Sequence, residues 1–356
     1  MITLARLLHL YASDLVAHYG NRMRPEHHRA LWALKACHTE QCGKLHYQCP
    51  DCPQQRDRYG SCGHRFCPAC QQHHNQQWLQ RQQHKLLPCD YYLVTFTLPA
   101  TLRGVCRSHQ KACYQALFQA ASQTLQQFAQ NDRKLGGQLG MTAVLHTHSR
   151  QLNYHPHVHV VVPGGTLNAH LWKAKNCRYL FNGKALAKVF RAKFLAALKP
   201  LKISLPPGIT PEWVVQCESV GQGDKALIYL SRYLYRGVVN EKNILSLKEG
   251  QVSFRYQENA SKRWQVITLP VLSFLWRVLQ HVLPTGFRRA RDYGLLHPSA
   301  HESLNRIRLQ CRVPAPPTTR LPTCIQPFCR CCGQAMRLTG MKRPVLRWQQ
   351  EITGCT

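Results

Sequence analysis

The sequence predicts an α+β fold: an antiparallel sheet with helices on one face, preceded by a cysteine-rich block and followed by a small cysteine-rich tail. Three observations predict it. Segments that alternate apolar and polar residues read as strands, helical repeats fall between them, and C-x-x-C pairs crowd toward the two ends of the chain. The element order, β, α, β, β, α, β, α, favours a sheet covered by helices over a doubly wound parallel sheet.

Residues 1 to about 36 have apolar positions such as Leu4, Leu7, Leu8, Tyr11 and Leu15 at helical spacing. The Cys/His block runs from Cys37 to His74. Tyr91 to Leu98 is β-branched and aromatic and stops at Pro99, as a strand does. A long helix is expected from about Cys106 to Gln130. Met141 to His148 and His155 to Val162 read as two strands, with Ser149 to Tyr154 closing a hairpin. Helical patterns return at Lys184 to Lys199 and Asp224 to Arg236, with a short strand-like Trp213 to Cys217 between them. Residues 241 to 310 have a globular composition, and 313 to 322 form a Pro-rich linker.

Charge bounds the function. The chain has 356 residues and carries 47 Lys plus Arg against 16 Asp plus Glu, a formal net charge of +31. A compact fold with that excess repels itself unless a polyanion absorbs the field, so nucleic acid is the expected partner. The 44% hydrophobic content supports a core and argues against disorder. The apolar stretch 269 to 283 contains Arg277 and His281, so no membrane span is expected. Met1 to His18 lacks the apolar core of a secretory signal, and a cytoplasmic protein is expected. Its 18 Cys are then better read as metal thiolates than as disulfides.

Cys49-x-x-Cys52 and Cys67-x-x-Cys70 are two knuckles that together offer four thiolates to one tetrahedral Zn²⁺. Cys37, Cys42, His46, Cys62 and His64 remain in the same block, either as ligands of a second ion or as ordinary residues. Near the other end, Cys329-x-x-Cys332-Gly333 is a single knuckle with Cys324 and Cys331 spare, half of a zinc ribbon or an unligated tail. Cys89, Cys106, Cys113, Cys177, Cys217, Cys311 and Cys355 read as ordinary thiols.

The stretch 155 to 162, HPHVHVVV, is the most informative. In a strand His155, His157 and His159 share one face, while Val158, Val160 and Val162 cover the core. Imidazoles two residues apart can converge on one divalent ion. His146 on the preceding strand is the candidate third ligand, with His148 as fallback, and strand register decides between them. No carboxylates accompany the histidines, so a single-metal site is expected rather than a two-metal one.

Tyr229 and Tyr233 lie four apart on one helical face, with Leu227, Leu230 and Leu234 on another. They read as a packed aromatic stripe or as a pair of nucleophiles. A phenol, with a pKa of about 10, needs nearby cations to attack phosphorus at neutral pH, and Lys225, Arg232 and Arg236 are close in sequence. No P-loop pattern occurs, in keeping with strand transfer that conserves bond energy in a phosphotyrosine ester. Tyr91, Tyr92, Trp172 and Phe181 are candidates for stacking on unpaired bases or for the core.

Taken together, HPHVHVVVPGG (155 to 165), YLSRY (229 to 233) and SCGHRFCPACQ (61 to 71) resemble the insertion-sequence-ninety-one type of transposase, a two-tyrosine HUH endonuclease. The resemblance extends through LVTFTLPATLR (93 to 103), KVFRAKFLAAL (188 to 198) and HVLPTGFRRARDYGLL (281 to 296), nearly the whole chain. It implies an HUH endonuclease-like fold and rolling-circle-like transposition through single-stranded DNA. His157 and His159 would hold Mg²⁺ or Mn²⁺, and Tyr229 and Tyr233 would form 5′-phosphotyrosine links to transposon-end DNA. The Cys block would be the family's Zn²⁺-binding domain. His64 and Phe66 depart from the family's Asn and second His, and Leu234 and Tyr235 from its Thr-His. The implied domains are 1–88 (helical and zinc-binding), 89–240 (catalytic), 241–312 (the C-terminal part of the transposase domain) and 313–356 (linker and Cys-rich tail). If the resemblance holds, the protein would work at the bacterial nucleoid.

Two rivals remain at this level. A histidine-triad nucleotide hydrolase or transferase explains the strand but neither the Cys block nor the charge. A zinc-containing DNA-binding protein without catalysis leaves the paired His and Tyr idle.

Overall fold

Alternation along Tyr154–Pro163 decides how the chain is layered. Val158, Val160 and Val162 turn one way and are buried, while His157 and His159 turn the other. The computed structural model describes residues 2–235, 239–258, 261, 263–314 and 326–344, with the side chains of 72, 73 and 232–235 outside that description. Arg236, Cys324 and Cys355 also lie outside the described residues.

The histidine strand belongs to a unit made of Asn75–Leu234 and Leu283–Pro317. Its antiparallel sheet has the order Leu171–Ala174, Gly165–Asn168, Gln138–His148, Tyr154–Pro163, Tyr91–Thr97, Val214–Ser219, and Ala290–Gly294 also pairs with Gln138–His148. The strands expected at 91 to 98, 141 to 148, 155 to 162 and 213 to 217 are present within a residue or three of their expected limits. Gly165–Asn168, Leu171–Ala174 and Ala290–Gly294 were not expected, being short or weakly alternating. Gly165 is a close approach: a Cβ there would lie 2.2 Å from the Trp172 ring.

One sheet face carries the core. Tyr92, Val94, Phe96, Leu139, Met141, Ala143, Leu145, Val158, Val160 and Val162 pack under the helices Gln110–Asn131 and Gly183–Leu198. Phe190 holds the centre, with ring centroids 4.9 Å from Phe96 and 5.2 Å from Trp213. The long helix begins at Gln110 rather than near Cys106, because a separate short helix, Arg103–Ser108, ends at His109. Tyr91, Tyr92 and Phe181 belong to the buried interior, so the base-stacking role considered for them does not hold.

The second unit gathers Met1–His74, Tyr235–Val282 and Thr318–Thr356. The expected amino-terminal helical segment is two helices, Leu4–Tyr19 and Pro25–Ala36, separated by a short turn. They meet the helix Val271–Leu279, where Tyr19 stacks on Trp276 at 4.7 Å. That helix forms the middle of the apolar stretch 269 to 283, and no helix among the described residues is long and apolar enough to cross a membrane. One three-stranded sheet, Ile244–Lys248, Gln251–Gln257 and Trp264–Pro270, packs Phe254 on Phe274. A second joins Arg337–Lys342, Lys44–Gln48 and Gln55–Tyr59, so the end of the described chain pairs with its beginning.

His27, on the second amino-terminal helix, is 1% exposed and stands edge-on to Trp276. Burial first, then the Arg24 charge, pulls its imidazole down to about 4. Between pH 6.5 and about 4 the unfolded chain therefore binds a proton that the folded chain refuses, so stability falls as pH falls through that window. The loss is at most about 1.4 kcal/mol per pH unit. The drop in melting temperature from pH 7 to pH 5 is expected to be smaller in His27→Gln than in the natural protein.

Candidate functional site

Register brings the histidines together. His146 lies directly opposite His157, and His159 lies between Val144 on one neighbouring strand and Thr95 on the other. A bulge between His146 and His148 then moves His148 to a position opposite Tyr154, against whose ring it packs. His146 is therefore the third imidazole, and the fallback His148 is not part of the group. The ligand atoms of His146, His157 and His159 all lie within 4.8 Å of one another. His155 shares the face but is not part of that group, and its Nδ1 lies 3.0 Å from Arg103 Nη2.

The ring orientations are fixed from behind. His157 Nδ1–H donates to the His155 carbonyl at 2.7 Å, and His159 Nδ1 lies 2.8 Å from Thr95 Oγ1. Both contacts leave Nε2 as the atom offered to an ion. Burial drives the imidazoles toward the neutral form: His157 falls to about 4, His159 to about 3, and His146 well below its ordinary value. Mutual repulsion of the protonated rings adds to this for His146 and His159. Neutral imidazole is the state that ligates metal. The three nitrogens fit one divalent ion, and of Mg²⁺ and Mn²⁺ the transition ion is the better match to nitrogen donors.

Thr95 carried no signal in the sequence beyond its place in a strand, since its role arises from register. Thr95→Val is expected to keep the fold and to weaken Mn²⁺ binding at the histidines about 10- to 100-fold, with Thr95→Ser restoring it. Calorimetric titration reads this directly, and unchanged affinity in Thr95→Val would remove Thr95 from the site.

Over the same sheet face stands the helix Asp224–Tyr235. Ala226, Leu227 and Leu230 are buried beneath it, which fixes its rotation. Tyr229 is half-buried, with its ring 5.9 Å from that of His159 and perpendicular to it. Tyr233 continues the helix by its backbone, and its side chain lies outside the described residues.

The cysteines group differently from the sequence expectation. Cys67 and Cys70 gather with Cys37 and Cys62, not with Cys49 and Cys52. Cys37 Sγ lies 3.6 Å from Cys70 and 3.5 Å from Cys67, and Cys62 lies 3.5 Å from Cys70. Four thiolates around Zn²⁺ at about 2.3 Å stand about 3.8 Å apart, so these sulfurs fit a closed tetrahedral site. Cys49 and Cys52 face Cys329 and Cys332 instead. The two knuckles are separated because Cys49 and Cys52 lie in the turn between the strands Lys44–Gln48 and Gln55–Tyr59, whereas Cys67 immediately precedes the helix Pro68–Gln83 and Cys70 lies in its first turn. Cys42 and His46 belong to neither group: Cys42 is buried on the Ala36 carbonyl and His46 pairs with Asp57.

Comparison with known proteins defines the class. Residues 7–98 match a family model described as a transposase zinc-binding domain, and residues 140–303 match one described as a putative transposase. A putative transposase, y4qJ, of Sinorhizobium fredii is 31% identical over 348 residues, covering 87% of each chain. The transposase for insertion sequence element IS801 of Pseudomonas savastanoi pv. phaseolicola is 28% identical over 291 residues, 74% of this chain and 68% of that one. Solved structures of the conjugative relaxase TrwC with oriT DNA overlap 61–63% of this chain at 16–17% identity, with TM-scores of 0.28–0.29. The protein is thus a transposase with a zinc-binding domain. It belongs to the insertion-sequence-ninety-one type family that its motifs resemble.

Proposed function

We propose that this transposase cuts and rejoins single-stranded DNA at the ends of its insertion sequence through 5′-phosphotyrosine intermediates, in rolling-circle-like transposition. The observation that carries the reading is the convergence of His146, His157 and His159 within 4.8 Å, with the Tyr229 ring 5.9 Å from His159. A divalent ion held by the three imidazoles would polarise the scissile phosphate. The chain's own groups do the rest. The Asp224–Tyr235 helix presents the Tyr229 hydroxyl to the phosphorus, where it displaces the 3′-oxygen. A phosphotyrosine ester forms, the P–O3′ bond breaks, the phenol gives up its proton and the departing oxygen leaves as a 3′-hydroxyl. Attack by a 3′-hydroxyl on that ester reverses the step on a new strand, and Tyr233 would take a second strand in the same way.

The histidine-triad alternative needs an imidazole free to attack phosphorus. Three imidazoles with Nδ1 atoms held from behind on two of them support a metal cradle instead. Zn²⁺ at the quartet Cys37, Cys62, Cys67 and Cys70 would hold the amino-terminal domain in shape to bind transposon ends. The excess of +31 suits a DNA path at the bacterial nucleoid and makes binding fall steeply with salt.

The test mixes the protein with single-stranded DNA bearing the element's end and Mn²⁺ or Mg²⁺, then looks for an adduct on a denaturing gel. An adduct that needs the ion and forms on one strand only is expected. Equal reaction with intact duplex, or an adduct indifferent to chelator, would overturn the reading.

A further inference from the structure

We infer that Cys49, Cys52, Cys329 and Cys332 form a second, separate Zn²⁺ site, a ribbon closed between the beginning of the chain and its cysteine-rich tail. Cys49 Sγ lies 3.4 Å from Cys332, Cys52 lies 3.5 Å from Cys329, and Cys332 lies 4.0 Å from Cys52. All four sulfurs fall within 4.8 Å of one another. These separations are far longer than a disulfide's roughly 2.05 Å. They match the edges of a tetrahedron of thiolates around zinc, about 3.8 Å.

The backbone around the sulfurs is built for the task on both sides. Cys49 N–H donates to the Gln54 carbonyl at 2.9 Å, and Cys329 N–H donates to the Gln334 carbonyl at 2.7 Å. The same i to i+5 closure thus folds each knuckle, though the two are far apart in sequence. Cys331 N–H points at Cys329 Sγ at 3.4 Å, a donor placed to steady a thiolate. Gly333, with φ of +75°, makes the left-handed turn that ends the second knuckle.

Energetics call for a staple here. The ribbon's own core is Tyr47, Cys49, Cys329 and Met336, with Leu45 and Cys52 at its margin. Leu338 and Met341 on the closing strand are exposed. Three short strands over so small a core are marginal without a metal or a cross-link. Four soft thiolates select Zn²⁺ or iron over Mg²⁺ and Mn²⁺, so this site does not compete for the ion at the histidines.

The test counts metal in the full-length protein, with no DNA present, so it is independent of the cleavage reading. Counted in a His157→Ala, His159→Ala background, so that zinc on the imidazoles adds nothing, two Zn²⁺ per chain are expected, falling to one when Cys329→Ser and Cys332→Ser are added, and Co²⁺ exchanged into the site should show the strong thiolate bands of a tetrahedral ion. One Zn²⁺ in that background, two after the cysteine changes, or iron in place of zinc would overturn the proposal. Because the variant can lose its fold, the natural protein supplies a second measurement. Cys331 and Cys332 are adjacent and both exposed, so accessibility alone predicts equal alkylation. Zinc ligation predicts that Cys331 reacts while Cys332 is protected until a chelator is added, and equal reactivity before chelation would refute it.

Discussion

Replacing Tyr229 by Phe is expected to abolish the covalent protein–DNA adduct formed on the first strand, a loss of at least about 10³-fold, while leaving DNA binding nearly intact. The argument rests on placement. Leu227 and Leu230 bury another side of the Asp224–Tyr235 helix and hold its rotation, so the Phe ring keeps the position of the Tyr ring beside His159 and only the hydroxyl is lost. The adduct is read by a mobility shift on a denaturing gel and binding by fluorescence anisotropy. Tyr233→Phe alone is expected to spare first-strand cleavage and to impair strand transfer. An adduct of natural yield in Tyr229→Phe would move the nucleophile to Tyr233, and one that survives both changes would remove the tyrosines from the chemistry.

Loss of the quartet Cys37, Cys62, Cys67 and Cys70 is the second large effect. Structural zinc binding supplies on the order of 10 kcal/mol or more of folding free energy. The helix Pro68–Gln83, which starts at these cysteines, is rich in Gln and so offers little apolar surface of its own in compensation. Cys67→Ser with Cys70→Ser, or a strong chelator on the natural protein, is expected to lower the melting temperature of the zinc-bearing unit by tens of degrees, roughly, and to open residues 1–74 to protease. Added Zn²⁺ should rescue the chelated protein and not the variant. A melting curve unmoved by chelator would refute a structural role.

Much of the histidine-bearing unit is legible in the sequence because its signals are local. Strand alternation alone puts His157 and His159 on one face, and helical spacing sets Tyr229 apart from Leu227 and Leu230. Whether His146 or His148 completes the group is a matter of register and of one bulge, which no local pattern encodes. Thr95 enters the site by the same route, through the pairing of a third strand. The cysteines show the opposite failure. The two amino-terminal knuckles have the spacing of a single four-thiolate site, and proximity in sequence suggested pairing them. The partner of Cys49 and Cys52 instead lies about 280 residues away, with |i−j| of 283 for Cys49 and Cys332. The knuckle at Cys329 was visible, and only its destination was hidden.

That destination has a consequence for how the protein is made. The strand Lys44–Gln48 leaves the ribosome early, but its partner Arg337–Lys342 is among the last described segments to be synthesised. At about 5 to 20 residues per second, the intervening chain takes roughly 15 to 60 s to appear. Throughout that time one edge of the early hairpin waits unpaired. A product truncated before residue 337 leaves it so permanently, and the sheet is completed only once residues 337–342 have been made. A chain cut short upstream of Arg337 therefore keeps an open strand edge on Lys44–Gln48, the kind of feature that invites aggregation and proteolysis.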